Sequence, residues 1–302
     1  MRPIAVVGSY NVGLTITTDR IPLRGETVHG RGYSEGPGGK GSNQAVAISR
    51  LGGRARFVGC VGTDRYGDDA LKLWKSEGVA ADAVKRVDAH TGLAFIVVDT
   101  SGTNIITVDA GANSKLTPRD VEEAGDALEG CGLLLTQLEI PPETAIAAAR
   151  VAKRAGAKVI LNPAPAVRAA ELDLSSVDII TPNEVEFELL AGTNDLVRGS
   201  KELLSRGPEA VIVTLGERGA HVAIKDDRFS VPAPKVKVVD STGAGDAFNG
   251  ALAVALSEGE PLSAAVRFAN YAGAFTVTRG EVIPALPTRR ELDEFRRNDV
   301  LE

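Results

Sequence analysis

A glycine-rich turn running straight into an apolar helix is a place where a chain can grip an anion. This sequence has one in the segment DSTGAGDAFNG at 240–250. Gly243, Ala244 and Gly245 leave the first backbone N–H groups of the helix uncovered. Unpaired N–H groups and the helix dipole both favour negative charge there. Asp246 stands in the first turn beside them. A carboxylate so placed can take a proton from a hydroxyl while the N–H groups hold a phosphoryl group in transfer. The same residue can also serve only as an N-terminal cap, and the segment alone leaves both readings open.

Three further segments pair a backbone turn with polar side chains. GPGGKGSNQA at 36–45 opens a second helix. Gly38 and Gly39 allow the backbone to approach a polyhydroxylated ligand, and Asn43 offers a donor and an acceptor. It is not a P-loop, because Lys40 is followed by Gly41. In TPNEVEF at 181–187, Asn183 and Glu186 are three apart and share a face of a helix. An amide and a carboxylate at the end of a strand suit a hydrated Mg²⁺, which takes oxygen ligands; a helix cap with a solvated carboxylate is the alternative. TLGERG at 214–219 can cradle a nucleotide or simply turn a hairpin. All four segments follow strands or open helices, where ligands of parallel α/β sheets collect.

The elements that must position them alternate. Apolar runs at 4–7, 56–61, 133–136, 159–161, 179–181 and 211–215 predict strands covered on both faces. Helices are predicted at 42–51, 68–76, 118–128, 142–155 and 246–256, with Thr117 as a cap before Pro118 and Trp74 packed on the core. Such alternation gives an α/β fold with a largely parallel sheet. Two stretches break the rhythm: 14–34 alternates loosely, and 92–99 with 104–109 reads as a hairpin closed by 100–103. They predict antiparallel strands that project as a flap.

The chain has 302 residues, 43% hydrophobic and 25% charged, which excludes disorder and coiled coil. A net charge of −6 argues against nucleic-acid binding. No apolar run approaches the length of a membrane span, and the N-terminus lacks a signal-peptide core. Two distant cysteines, Cys60 and Cys131, point to a reducing cytoplasm rather than a disulfide scaffold. His29, His90 and His221 lack metal-ligand spacing and read as surface or turn residues. There is no Gly-x-Ser-x-Gly elbow, and 8–13 is not a dinucleotide fingerprint.

The chain resembles the ribokinase-like (PfkB) carbohydrate kinases from about Val6 to Leu292. The resemblance rests on GGKGSNQA at 38–45, NPAPA at 162–166, TPNE at 181–184 and the segment 240–250, all in the family's order and spacing. It implies a three-layer α/β sandwich with a mainly parallel central sheet and a small β lid. It further implies one kinase domain over 1–302, with lid strands at about 12–37 and 91–109. The implied reaction moves the γ-phosphate of ATP to a sugar hydroxyl, the terminal CH₂OH of ribose first among candidates. Another pentose, a hexose, a phosphosugar or a nucleoside is the alternative.

The resemblance also implies roles. Asp246 matches the general base, and Gly243, Ala244 and Gly245 the anion hole. Asn11, Gly39, Lys40, Gly41, Ser42, Asn43 and Glu139 match the sugar site. Asn183 and Glu186 match an Asn-x-x-Glu motif that arranges Mg²⁺ through water, with Asn183 also on the ATP side. Thr214, Leu215, Gly216, Glu217, Arg218 and Gly219 match the nucleotide loop, with Gly245 and Asn270 also on the ATP side. Asp240, Thr242, Thr276 and Arg279 match a site for an activating K⁺. The lid strands match a surface that pairs subunits into a homodimer.

Two departures stand out. The family pattern Gly-Ser-x-Asn-x-Asp places a sugar-binding aspartate where this chain has Gly13. Around the monovalent cation, Gly-Ala and Ser-x-Pro are replaced by Glu281-Val282 and by Ala285 before Leu286 and Pro287.

Overall fold

The computed structural model describes residues 1–166 and 172–299. The central sheet starts at β1 (Ile4–Val7), a run with no solvent exposure to speak of. Chain order then leaves the sheet for β2 (Asn11–Thr18) and β3 (Gly32–Gly38), and returns with β4 (Ala55–Val58) parallel to β1. β5 (Cys60–Gly62) and β6 (Lys85–Val87) form a small separate pair, and β7 (Gly92–Asp99) and β8 (Asn104–Asp109) a hairpin. β9 (Leu133–Thr136), β10 (Lys158–Leu161), β11 (Ile179–Ile180) and β12 (Ala210–Thr214) extend the central sheet in parallel on the other side of β1. β13 (Ala220–Ile224) and β14 (Asp227–Val231) finish it antiparallel, so the eight strands run β14-β13-β12-β11-β10-β9-β1-β4.

Each central strand sends alternate side chains to two separate cores. Ile4, Val6, Leu133, Leu135 and Ile160 face one; Ala5, Val7, Leu134, Val159 and Leu161 face the other. The first core is covered by α1 (Lys40–Arg50), α2 (Arg65–Ser76) and, later in the chain, α8 (Ala244–Ser257), α9 (Leu262–Thr276) and α10 (Arg289–Asp299). The second is covered by α3 (Pro118–Glu123), α4 (Gly125–Leu128), α5 (Pro142–Arg154), α6 (Glu184–Ala191) and α7 (Leu196–Ser205). Burial on both faces is what the near-continuous Val, Ile and Leu runs require. Trp74 is fully buried, with Phe57 at 4.5 Å between ring centroids and its indole N–H donating to Ser42 Oγ at 2.9 Å.

Several local expectations change. The run at 56–61 is two strands, not one. A side chain at Gly59 would sit 2.7 Å from the Gly8 carbonyl oxygen, so the chain bends past that backbone into a different sheet. The helix expected at 118–128 is broken at Ala124 into α3 and α4. α2 begins earlier, at Arg65, because Asp64 caps it by accepting from Gly67 N. The projecting strands form a four-stranded sheet in the order β3-β2-β7-β8, and β2 pairs with β7 in parallel rather than antiparallel. His221 is a buried strand residue in β13, neither surface nor turn.

The helices α1 and α8 cross at close range. A side chain at Gly250 would meet Ala47 Cβ at 2.6 Å and Gln44 O at 3.2 Å. The crossing brings the N-terminal turns of the two glycine-led helices together. Gly250→Val should therefore lower stability by about 1–3 kcal/mol through overpacking, measured by urea unfolding. It should also depress activity in the folded fraction, because α8 carries Asp246.

Candidate active site

The polar residues of the site sit where strands of the central sheet end. β1 is followed by Ser9 and Asn11, β9 by Gln137 and Glu139, β10 by Asn162, β11 by Thr181 and Asn183, and β12 by the turn at Gly216–Arg218. The N-termini of α1 and α8 are brought over this edge. Gly39 caps α1 at φ 87°, and a side chain there would lie 2.6 Å from Asn11 N. Gly243 caps α8 at φ 80°, in the left-handed region that glycine adopts without strain.

Asp246 lies in the first turn of α8 and is only 6% exposed. Asn43 Nδ2 donates to its Oδ2 at 2.8 Å, and Gln44 Nε2 to its Oδ1 at 2.9 Å. Burial pushes this carboxyl above the usual carboxylate range, against the pull of Lys40 and the two amide donors. Burial alone would lower the Lys40 ammonium. Asp246, Glu139 and Glu186 together outweigh that and hold it above its ordinary value. The site is thus a cation among three acids beneath an uncovered helix N-terminus. Such a set can hold an anion, take a proton and balance developing negative charge.

Glu139 anchors a second cluster. Its Oε2 accepts from Ser9 Oγ at 2.5 Å, Asn11 Nδ2 at 3.1 Å and Lys40 N at 2.9 Å. Asn113 donates to Asn11 Oδ1 at 2.8 Å and to Tyr10 O at 2.9 Å, and accepts from Tyr10 N. This turns the Asn11 amide so that its donor faces Glu139. Asn43 Oδ1 is buried without a partner beside Asp246, an acceptor waiting for a donor. Gly41 makes the approach of α1 possible, since a side chain there would meet Ser9 N at 2.5 Å. Ser42 faces away, holding Trp74.

Asn183 and Glu186 form a capping box at the start of α6. Glu186 N donates to Asn183 Oδ1 at 2.8 Å, and Asn183 N donates to Glu186 Oε2 at 2.9 Å. Glu186 is 6% exposed, and burial raises its carboxyl. The pair caps the helix, as the alternative reading had it, but the carboxylate is buried rather than solvated, and its Oε1 has no hydrogen bond within the protein. Thr214 bridges to Asn183, and Thr214 N donates to Pro182 O, so the turn at 214–219 adjoins this motif. In that loop Leu215 N donates to Gly219 O, while Glu217 and Arg218 are exposed and Arg218 pairs with Glu184. Asn270 is buried in α9 and spends its amide donors on Val231 O and Pro232 O, so it props the following loop.

The proposed cation residues are less convergent. Asp240 Oδ1 accepts from Thr242 N and Oγ1. Thr276 Oγ1 donates within its own helix to Ala272 O, leaving only its carbonyl to offer. Asp240 N donates to Val277 O, which ties this turn to the loop that carries exposed Arg279. Glu281 holds φ 64°, in the left-handed region that favours glycine, and Val282 packs where a side chain at Gly243 would stand. No cluster of three or more His, Cys, Asp or Glu side chains able to hold a metal occurs among the described residues.

Sequence reasoning gave no role to Gln44, Gln137, Asn162, Thr181 or Asn113. All five are polar and almost fully buried. The one signal was position: each of Gln137, Asn162 and Thr181 follows directly on a buried apolar strand.

The model of the pfkB family carbohydrate kinases matches residues 1–289. A ribokinase of Haemophilus influenzae is 37% identical over 300 residues, covering 97% of this chain and 98% of that protein. A deoxyribokinase of Salmonella typhi is 37% identical over 301 residues, covering 97% and 98%. Among solved structures, a Thermotoga maritima ribokinase matches with TM-score 0.90 at 37% identity, covering 99% of this chain and all of that one. An Arabidopsis thaliana ribokinase complexed with ribose and ATP matches with TM-score 0.88 at 32% identity, covering 97% and 98%.

Proposed function

The chain belongs to the pfkB family of carbohydrate kinases and is an ATP-dependent sugar kinase, and from that premise we propose that it converts ribose to ribose 5-phosphate with Asp246 as base. The observation that carries this reading is the pair of amide donors on the buried Asp246 carboxylate beside the uncovered start of α8. The C5 hydroxyl gives its proton to Asp246 as its oxygen bonds to the γ-phosphorus. The bond from that phosphorus to the departing ADP oxygen breaks, and the proton leaves Asp246 for solvent. The N–H groups of Gly245 and its neighbours hold the transferring oxygens, and Lys40 offsets their charge. Such transfer is dominated by positioning and electrostatics rather than covalent chemistry. A raised carboxyl suits a base working near neutral pH.

Asn183 and Glu186 are the residues that would hold hydrated Mg²⁺, which when bound screens the charge of the phosphates. The free oxygen of Glu186 fits that role. Asp240 and the backbone carbonyls of Thr276 and Arg279 are offered for K⁺. The nucleotide would lie along Thr214–Gly219 toward Asn270. In this reading residues 1–302 work as one cytoplasmic kinase unit.

Gly13 favours a second acceptor, another pentose lacking the hydroxyl that an aspartate would bind. A side chain at Gly13 would meet Ile96 Cδ1 at 3.6 Å and the Gly36 carbonyl oxygen at 3.7 Å, so an apolar side chain and a backbone carbonyl stand where the family has a charged acceptor. One relative in the same identity range is a deoxyribokinase. The homodimer reading has its own support. On one face of the lid sheet Ile16, Tyr33, Phe95 and Ile105 are exposed, at 44–63% of their surface. Strand alternation puts them opposite the face that bears Asn11 and Gly13.

Three outcomes are expected. Asp246→Asn should lower kcat for ribose by at least about 10²-fold, the usual worth of a base, with sugar affinity by calorimetry nearly unchanged. Turnover near wild type, measured by ADP release, would remove Asp246 from the role; in that assay the unmodified enzyme should depend on Mg²⁺ and respond to K⁺. Gly13→Asp fits ordinary van der Waals space and should tighten ribose about tenfold or more relative to 2-deoxyribose, as a charge-assisted hydrogen bond would. Equal effects on both sugars would place their hydroxyls elsewhere. Phe95→Lys with Ile105→Lys should halve the sedimenting mass in ultracentrifugation; a monomeric parent protein would defeat the dimer.

A further inference from the structure

We propose that Gln44 is a positioning residue for the phosphoryl-transfer base, locked in its working orientation by Gln137 and Asn162. The inference rests on the reading of Asp246 as base. Gln44 is fully buried in the first turns of α1 and meets three partners. Its Nε2 donates to Asp246 Oδ1 at 2.9 Å and to Asn162 Oδ1 at 3.1 Å. Its Oε1 accepts from Gln137 Nε2. Asn162 in turn donates to Thr181 O at 3.1 Å.

Each link decides the orientation of the next. Asn162 is oriented by its donation to Thr181 O, so its oxygen faces Gln44 and selects the Gln44 orientation in which nitrogen faces Asp246. Reversed, Gln44 would set a carbonyl oxygen against a carboxylate. Gln137 completes the lock by donating to the Gln44 oxygen, while its own Oε1 is buried without a partner. Gln137 and Asn162 stand on the ends of β9 and β10, so the rigid sheet sets the carboxylate plane through one amide. Asn43 holds the other oxygen, Oδ2. With one acceptor site committed on each oxygen, the carboxylate plane is fixed and so are the directions of its remaining lone pairs. The chain also supplies charge: a donor to the ionised form favours it. The other charged groups facing Asp246 are Lys40 on α1, Glu139 after β9 and Glu186 on α6.

Loss of the Gln44 donor raises the carboxyl, because only the ionised form gained from it. A raised carboxyl moves the acid limb of a base-dependent rate to higher pH. The test is the pH profile of kcat/KM for the sugar in wild type, Gln44→Leu and Gln137→Leu. Gln44→Leu should shift the acid limb upward by about one unit and lower kcat by about tenfold, with KM little changed. Gln137→Leu should move it the same way by less, since the Gln44 amide can then turn. A folded Gln44→Leu enzyme with the wild-type acid limb, or with losses confined to melting temperature and KM, overturns the proposal. Should the variants not fold, the wild-type enzyme decides. The Gln44 side-chain amide resonances should titrate with the acid limb by nitrogen-15 NMR, and their indifference to pH overturns it equally. Retained turnover in Asp246→Asn would defeat the base reading itself; loss there with an unmoved acid limb in Gln44→Leu defeats only the positioning.

Discussion

A carboxylate closed in by protein must find donors or give up its charge. The Asp246 carboxylate governs this structure because it is almost fully buried and takes its donors from the protein. Its two amide donors come from adjacent residues on another helix, so α1 and α8 must meet with their first turns side by side. That requires contact closer than two ordinary helices allow. Gly250 opposite Ala47, and Gly41 against Ser9, remove the side chains that would prevent it. Gly250 thus serves the helix crossing, while Gly39 and Gly41 let the start of α1 settle against the backbone of residues 8–11.

The parallel sheet supplies the second half of the arrangement. Parallel strands end together, and the residues just past their ends share one edge. Gln137, Glu139, Asn162, Thr181 and Asn183 gather there from strands far apart in the chain. Asn249 in α8 accepts from Thr181 Oγ1 at 2.7 Å and donates to Gly245 O at 2.8 Å. The helix that carries Asp246 is thus fastened to β11 as well as to α1. Apart from Asn43 Oδ1 and Gln137 Oε1, which are buried without partners, the network is hydrogen-bonded, and the stiffness this gives is what transfer by positioning requires.

What could be read from residues alone followed from how local the cause was. The strands at 4–7, 133–136 and 159–161 were legible because burial on both faces writes a continuous apolar run. The glycine-led helix starts were legible because backbone geometry demands the residue. The break at Gly59 was not, since its cause is the Gly8 carbonyl, fifty residues away in sequence. Nor was the parallel pairing of β2 with β7, which no turn chemistry encodes. His221 looked like a surface histidine because nothing local marks β13 as an inner strand. Gln137 and Asn113 were silent for the same reason: an amide gains its role from partners about a hundred residues distant. Asp246, Asn43, Lys40 and Glu186 could be named in advance through the family resemblance, yet that they face one another is information only the fold contains.

The same geometry separates chemistry from recognition. Asp246, Gln44, Glu186 and the start of α8 are fixed to the central sheet. Asn11, Gly13 and Ile96 belong to the lid strands, and only the root of that sheet is fastened tightly. Asn113 clamps Tyr10 and Asn11, while Asp64 accepts from Thr91 N and Oγ1 just before β7 begins. Beyond these clamps the lid row that holds Gly13 carries Gly36 and Ala94 beside it. In the proposed reading, small residues there set the size of the sugar wall without touching the carboxylate. A change of acceptor can then be made on the lid while the base, its amide lock and the anion site stay as they are. On the proposed reading, an aspartate missing from the lid bears on which hydroxyls are read, and not on whether phosphate is moved.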